Sequence, residues 1–196
     1  MTEEQWDEKL KIHTVGRLDA HADEYHYPYE PTPYCVLERL AESGYIQSED
    51  VIIDYGCGKG RVGFFLAQDV GCRVIGVEYN PEIYAQAIAN WEMYRKKAQT
   101  EFVCANGESY KITEGNCFYF FNPFSIEIFK GVMGRIMESY YENPRPMQLF
   151  FYYPNDEYLS YLMRSRELSF VDEVNCQDLF EGNNERETIL IFEIEA

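Results

Sequence analysis

The chain has 196 residues, of which 34 are acidic and 17 basic, so its formal net charge is −17. This length suits one domain with a packed core, and a hydrophobic share of 46% excludes a disordered or collagen-like chain. Phosphate backbones repel so negative a protein, which argues against nucleic acid and favours a small molecule or another protein as partner. The acidic N-terminus and the lack of any apolar run of about 18 residues predict a cytoplasmic protein without a membrane span.

The beginning of the chain has a pattern of its own. An aromatic and proline-rich stretch at 25–33 precedes a predicted helix at 34–43, which Gly44 closes. We interpret residues 1–45 as a helical and aromatic lid packed on a main domain that spans 46–196. The alternative is that this stretch covers an edge of the sheet as ordinary core.

From residue 51 onward, apolar runs typical of buried strands alternate with helical segments. The predicted elements are strand 51–54, helix 60–67, strand 73–78, helix 81–97, strand 101–104, strand 117–121, helix 125–141, strand 148–153 and helix 156–165. Strands at 170–175 and 188–194 follow, and the turn between them is too short for a helix, so they should pair antiparallel. The predicted fold class is α/β, with a mostly parallel sheet and an antiparallel C-terminal hairpin.

The first strand runs into a turn with glycines at alternate positions, Gly56, Gly58 and Gly60. Glycines at such a turn let the backbone approach a ligand closely. The second strand ends in Glu78, whose carboxylate can accept hydrogen bonds from both hydroxyls of a ribose. Together these features predict an adenosine cofactor at the carboxyl edge of the sheet.

The residues of this turn discriminate between two kinds of cofactor. A dinucleotide fingerprint needs a glycine where this chain has Arg61, because the third glycine has moved to Gly60. Asp54, just before the glycines, would repel a pyrophosphate but suits a cationic ligand, such as a sulfonium that carries an amino group. A nicotinamide-dependent oxidoreductase is therefore the less favoured alternative.

Four segments resemble, in their order and spacing, the class I S-adenosylmethionine-dependent methyltransferases: Asp54-Tyr-Gly-Cys-Gly-Lys-Gly60, Gly76-Val-Glu-Tyr-Asn-Pro81, Ala105-Asn-Gly107 and Phe121-Asn-Pro-Phe124. The resemblance covers about residues 25–196. It implies a Rossmann-like three-layer sandwich with a seven-stranded sheet, a methyltransferase activity (EC 2.1.1.-) and S-adenosyl-L-methionine as the cofactor. A weaker similarity, to the Dot1-like lysine methyltransferases, lies in the last of the four segments.

The resemblance also assigns the cofactor contacts. It implies that Asp54 and the glycine turn (Gly56, Gly58, Gly60) hold the methionine part, that Glu78 binds the ribose hydroxyls and that Tyr79 lies beside the adenine. Asn106 stands where the family often has Asp, so its amide oxygen would accept a hydrogen bond from the adenine amino group. The remaining predicted cofactor contacts are Gly107, Asn122 and, at the carboxylate of the cofactor, Thr32 of the lid.

The loop Asn122-Pro-Phe124 looks like a shortened form of the Asn/Asp-Pro-Pro-aromatic motif of enzymes that methylate nitrogen. Asn122 is therefore the candidate catalytic residue, because its side-chain carbonyl would orient a target N–H. The alternative is that Asn122 only lines the cofactor site. Phe124 and Tyr29 are the candidate substrate-binding residues. The predicted function is methyl transfer to an acceptor, with a nitrogen of a small molecule or protein side chain as one candidate. A non-catalytic S-adenosylmethionine-binding regulatory module is the alternative.

Metal and disulfide chemistry are not predicted. His13, His21 and His26 lack the spacing of metal ligands. The six cysteines contain no C-x-x-C pair, which is typical of a protein in a reducing compartment.

Overall fold

The structure is a computed structural model that describes residues 1–18, 27–182 and 184–195. Its helices and strands, in chain order, are α1 (Glu3–Leu10), α2 (Tyr34–Glu42), β1 (Val51–Tyr55), α3 (Arg61–Asp69), β2 (Arg73–Glu78), α4 (Pro81–Met93), β3 (Thr100–Cys104), β4 (Cys117–Phe120), α5 (Ile126–Glu142), β5 (Gln148–Tyr152), α6 (Asp156–Leu162), β6 (Leu168–Asn175) and β7 (Thr188–Ile194). Two short 3₁₀ turns lie at Lys97–Gln99 and Gln177–Leu179.

Seven strands form one sheet in the order β3-β2-β1-β4-β5-β7-β6. Strands β1 to β5 are parallel, and β7 lies antiparallel between β5 and β6. The direction of strand progression reverses between β1 and β4, which leaves a crevice at the carboxyl ends of these two strands. The predicted α/β fold with an antiparallel C-terminal hairpin is confirmed.

Helices cover the sheet on both faces, as the continuous apolar strands require. Helices α1 to α4 pack around one core, which contains Phe64, Phe65 and Tyr119. Helices α5 and α6 pack on the other face, around Phe129 and Phe151. The result is the three-layer arrangement that the sequence predicts.

The N-terminal segment shares the first of these cores. Its helix α1, which the sequence analysis does not predict, begins with a capping box between Thr2 and Gln5 and buries Trp6. The Trp6 ring stacks on Tyr34 at 5.6 Å and meets the edge of Phe65 at 4.9 Å. Residues 19–26, part of the predicted lid, lie outside the described residues. The described part of the aromatic stretch, residues 27–33, is called the strap below.

Several predicted element boundaries are wrong by two or more residues: α3 ends at Asp69 instead of 67, α6 ends at Leu162 instead of 165, and two further boundaries have a visible cause. The helix predicted to reach Lys97 ends at Met93, because Tyr94 has extended backbone and is buried, with its hydroxyl donating to the Phe64 carbonyl at 2.9 Å. Strand β6 begins at Leu168 instead of residue 170, since Leu168 pairs with Ile194 at the end of β7. In both places a tertiary contact moves the boundary.

The structure also bears on two more general expectations. Within the described ranges, every helix is too short or too polar to cross a lipid bilayer. The cysteines at 35, 57, 72, 104, 117 and 176 are free thiols.

Candidate active site

A cleft opens at the carboxyl ends of the parallel strands, at the point where the strand order reverses. Most of the predicted site residues line it: Tyr29, Gly56, Gly58, Glu78, Tyr79, Asn106, Gly107, Asn122 and Phe124. Strand ends and the turns that follow them therefore bring together residues that lie far apart in the sequence.

The glycine turn forms the floor of the cleft because side chains would not fit there. A Cβ atom on Gly56 would lie 2.3 Å from Cβ of Pro123, and one on Gly58 would lie 2.3 Å from the Tyr29 ring. Both glycines also have positive φ, +70° and +57°. Gly60 does not reach the cleft, since the space beside it is filled by aromatic side chains of the core, Phe102 and Phe64.

Glu78 is fixed at the end of β2 by backbone hydrogen bonds. Its Oε2 accepts from the N–H of Gly58 at 3.0 Å, and its Oε1 accepts from the N–H of Asn80 at 2.8 Å. The carboxylate thus couples the glycine turn to the start of α4. It lies on the cleft wall, where an ionised carboxylate can accept further bonds from ligand hydroxyls.

Asp54 is buried at the end of β1 and is short of hydrogen-bond donors. Only 3% of its surface is exposed, and its Oδ2 has no partner among the described residues. Burial, together with the negative charge of Glu78, raises the pKa of Asp54 to about 8. A cationic ligand group would satisfy this carboxylate and stabilise its ionised form.

Arg61 supplies a charge of opposite sign in the same small recess behind the glycine turn, which both it and Asp54 line. The guanidinium is buried, and its Nη2 has no partner among the described residues. Buried groups of opposite sign, each with an unsatisfied atom, fit the ammonium and carboxylate of an amino acid. The sequence analysis uses Arg61 only against a dinucleotide, because its burial is visible only in the folded chain.

The other contacts of Arg61 connect it to the N-terminal segment. Its Nε donates to Oγ1 of Thr14 at 2.7 Å, and its Nη1 donates to the Thr32 carbonyl at 3.1 Å and pairs with Glu3. The guanidinium carbon also lies 4.3 Å from the centre of the Tyr34 ring. Arg61 therefore positions the strap against the recess.

The strap lies across the glycine turn. The Tyr29 ring covers Gly58, and its hydroxyl donates to the Thr14 carbonyl at 2.6 Å, while burial raises the pKa of this phenol. Thr32 is buried in the wall of the recess with its Oγ1 3.1 Å from the Tyr119 hydroxyl. Tyr29 thus lies on the glycine turn, at the end of the cleft where the methionine part of the cofactor is predicted.

Asn106, Gly107 and Tyr79 form the opposite end of the cleft. Oδ1 of Asn106 accepts from the N–H of Glu108 at 2.9 Å, and a carbonyl oxygen can accept a second bond. A Cβ on Gly107 would lie 3.0 Å from a methyl of Val132, so this position is tightly packed. Tyr79 is 49% exposed at the rim. Their predicted adenine contacts are compatible with these positions.

Asn122 connects the loops that follow β4 and β5. Its Nδ2 donates to the Tyr153 carbonyl at 2.7 Å, and its Oδ1 accepts from the N–H of Asn155 at 3.1 Å. Asn122 and Tyr153 both have positive φ, 41° and 49°, which non-glycine residues rarely adopt. Phe124 is buried beside them, and its carbonyl accepts from the Tyr158 hydroxyl at 2.6 Å. The Asn122 side chain thus positions two loops, and one acceptor site on Oδ1 faces no described donor.

Metal ligands do not cluster in the described part of the chain, where no three His, Cys, Asp or Glu side chains could hold an ion. The N–H of His13 donates to Oδ1 of Asn90 at 2.8 Å. His21 and His26 lie outside the described residues. The chemistry of the cleft thus comes from carboxylates, a guanidinium, amides and aromatic rings.

Comparison with known proteins identifies similar sequences. Residues 52–142 match a family model described as a methyltransferase domain. A protein-lysine N-methyltransferase from Saccharolobus islandicus (strain REY15A) is 34% identical over 90 residues, which are 45% of this chain and 56% of that protein. A histone-lysine N-methyltransferase, H3 lysine-79 specific, from Dictyostelium discoideum is 44% identical over 69 residues, 35% of this chain and 4% of that protein. The chain thus spans little more than half of the first relative and a small part of the second.

Solved structures share the fold at low sequence identity. An RNA methyltransferase from Salinibacter ruber in complex with S-adenosyl-L-homocysteine has a TM-score of 0.57 and 20% identity, over 84% of this chain and 94% of that chain. The glycopeptide N-methyltransferase MtfA complexed with S-adenosyl-L-methionine has a TM-score of 0.63 and 11% identity, over 82% of this chain and 87% of that chain. At these identities the likeness concerns the fold alone.

Proposed function

We propose that this chain is a class I methyltransferase that transfers a methyl group from S-adenosylmethionine to the side-chain amine of a protein lysine; the match of residues 52–142 to a methyltransferase-domain model supports this proposal. The observation that carries the cofactor part is the buried Asp54 carboxyl and Arg61 guanidinium behind the glycine turn, each of which has one polar atom without a hydrogen-bond partner among the described residues. They complement the zwitterionic end of this cofactor. A dinucleotide would instead place a pyrophosphate against a carboxylate.

The residues of the cleft divide the task of holding the cofactor. Asp54 binds the ammonium, Arg61 binds the carboxylate, Glu78 binds the ribose hydroxyls, and Asn106 and Tyr79 hold the adenine. When bound, S-adenosylmethionine supplies an electrophilic methyl group on a sulfonium sulfur. The chain contributes position and exclusion of water, and the lysine ammonium would lose its proton to solvent before the neutral amine attacks the methyl group.

Three observations support a lysine amine as the acceptor. The two relatives described above are named as lysine N-methyltransferases, and one of them is histone-specific. The net charge of −17 attracts a basic protein and repels a nucleic acid. Asn122, next to the cleft, retains an acceptor site that can orient an N–H of the incoming amine.

Calorimetric titration tests the cofactor part of this proposal. We expect S-adenosylmethionine and S-adenosylhomocysteine to bind and NAD not to bind. Asp54→Asn should weaken binding about 100-fold or more, because the neutral amide no longer compensates the ligand ammonium. Asp69→Asn, at an exposed position at the end of α3, should bind as the wild type does. Binding of NAD alone would contradict the proposal and favour an oxidoreductase.

A further inference from the structure

A second groove lies behind one wall of the cofactor cleft. This wall consists of the strap and the loop after β4, and Tyr27, Pro28, Glu30, Phe121 and Asn122 line both the cleft and the groove. The strap is attached to that loop through the N–H of Tyr27, which donates to the Pro123 carbonyl at 3.4 Å. The groove therefore adjoins the cleft along these shared residues.

The far side of the groove is made by the other half of the sheet edge. It is lined by two residues at the end of β5, by the residue that follows the second 3₁₀ turn and by the residue just before β7: Tyr152, Tyr153, Phe180 and Glu187. Outside the strap, five of the six described groove side chains are aromatic or acidic, and none of the six is basic. Aromatic rings and a carboxylate suit a ligand that carries a positive charge at the end of an alkyl chain.

The carboxylate of Glu187 is held in place within these aromatic walls. Its Oε2 accepts from the Tyr152 hydroxyl at 2.6 Å. Burial, the hydrogen bond to Glu187 and its charge raise the pKa of Tyr152, so the phenol keeps its proton and remains the donor. The Tyr152 ring in turn packs on Phe121 at 4.7 Å, which belongs to the shared wall. A negative charge is thus fixed next to the rings that separate the groove from the cleft.

Displacement at a methyl group requires the nucleophile to arrive opposite the leaving sulfur. The groove adjoins the cleft along the residues that both share, so a side chain in the groove can approach a cofactor in the cleft from that side. We propose that this groove binds the acceptor lysine side chain, with Glu187 pairing with its ammonium and the rings of Tyr152 and Phe121 packing on its alkyl arm; this rests on the function proposed above. For transfer, the ammonium would first lose a proton to solvent, and the neutral amine would then form the N–C bond as the C–S bond breaks and S-adenosylhomocysteine leaves. Glu30, which pairs with Arg17 at 3.1 Å on the surface, marks the outer rim.

The proposal predicts which acceptors the groove accepts. A primary ammonium on an unbranched alkyl chain can reach Glu187 between the rings, whereas a phosphate or carboxylate would meet the charges of Glu187 and Glu30. Lysine in a basic sequence should therefore bind, and the same sequence with norleucine in place of lysine should not.

Binding of a defined peptide tests the groove directly. The probe is a blocked decapeptide of alternating lysine and glycine, titrated calorimetrically into protein saturated with S-adenosylhomocysteine. We expect Glu187→Gln to weaken peptide binding about tenfold or more, because the amide keeps the bond from Tyr152 but loses the charge. Tyr152→Phe should weaken it about threefold, since the carboxylate stays but is no longer oriented. Glu185→Gln, an exposed position on the same turn, is the matched control and should change it less than twofold.

The affinity for S-adenosylhomocysteine separates the possible outcomes. All three variants should keep it, which also shows that they are folded. If the wild type binds S-adenosylhomocysteine but not the peptide, or if Glu187→Gln leaves peptide binding unchanged, the groove is not the acceptor site. If the wild type does not bind S-adenosylhomocysteine, the proposed function fails and this inference fails with it.

Discussion

The two halves of the functional edge of the sheet are built differently. In the cofactor half, single turns after β1 and β2 carry the decisive residues, and Glu78 reaches the glycine turn through a contact between neighbouring strands. In the half that we propose to bind the acceptor, called the acceptor half below, Asn122, Tyr153 and Glu187 lie on three separate connections, and their contacts cross about 30 residues of chain or more. A short motif can therefore specify a cofactor site, whereas an acceptor site depends on how distant loops pack.

The largest expected effect is in the cofactor half. Asp54→Asn should weaken S-adenosylhomocysteine binding at pH 8 by about 100-fold or more, because the ligand ammonium would face a neutral group in a buried site. Calorimetry measures this loss. Unchanged binding would mean that the recess behind the glycine turn does not hold the zwitterionic end of the ligand.

The same carboxylate predicts a pH dependence. With its pKa raised to about 8, Asp54 is protonated at pH 6 in the free protein and must release that proton when a cationic group binds. The affinity should therefore rise by up to about tenfold for each pH unit between 6 and 8 and then level off. The binding enthalpy should vary with the ionisation enthalpy of the buffer in the wild type but not in Asp54→Asn.

Linkage also fixes the effect of this group on folding. The pKa of Asp54 is raised above its unfolded value of 3.8 to about 8. Between these two pH values the folded chain therefore binds a proton that the unfolded chain has released. Its contribution to the free energy of unfolding is therefore largest at low pH and declines as the pH rises through that window. Without ligand, Asp54→Asn should unfold at a higher temperature than the wild type at pH 8. An equal or lower unfolding temperature would contradict the raised pKa.

A second prediction concerns the floor of the cleft. Gly58→Ala should lower the free energy of unfolding by about 1–2 kcal/mol, since a Cβ forces a strained positive φ, and should also weaken cofactor binding by displacing the Tyr29 ring. Gly134→Ala is the control: nothing lies within 4 Å of its Cβ position in α5, so it should stabilise the helix by up to about 1 kcal/mol. Denaturant unfolding and calorimetry measure both. Equal behaviour of the two variants would refute the close approach of the strap.

The next prediction concerns Asn122, which joins the loops after β4 and β5 in the acceptor half. Asn122→Asp replaces the N–H₂ group that donates to the Tyr153 carbonyl with an oxygen, so the two loops should separate. We expect kcat/KM for methyl transfer to fall about tenfold or more while the affinity for S-adenosylhomocysteine stays the same. Asn143→Asp, an exposed position after α5, should change neither quantity. Loss of cofactor affinity in Asn122→Asp would instead assign Asn122 to the cofactor half.

The smallest expected effect belongs to the exposed rim of the cofactor half. Tyr79→Ala should weaken S-adenosylhomocysteine binding about five- to tenfold, because only one face of the adenine loses a stacking partner. Tyr141→Ala, which removes a more exposed ring outside the cleft, should not affect the measured affinity. No effect of Tyr79→Ala would exclude stacking of this ring on the base.

What the sequence could predict follows the same division. The strands, their parallel direction and the glycine turn can be predicted because the spacing of apolar residues and of glycines is a local signal. Gly58 and Glu78 indeed lie together in the cleft. Arg61 and Glu187 were missed as site residues, because an arginine after a glycine turn and a glutamate before a strand carry no local sign of burial or of their partners. Helix α1 was missed for a related reason: its few apolar residues are buried by packing against α2 and α3, and the local sequence does not show this contact.

The most direct test of the account is methyl transfer itself. The protein is incubated with S-adenosylmethionine carrying an isotopically labelled methyl group and with the blocked lysine–glycine decapeptide, and the peptide is then sequenced by mass spectrometry. We predict the labelled methyl on the lysine side-chain nitrogen, with equimolar S-adenosylhomocysteine, and a loss of this signal for Asp54→Asn. Binding of the cofactor with no labelled lysine would contradict the account and favour a non-catalytic S-adenosylmethionine-binding module.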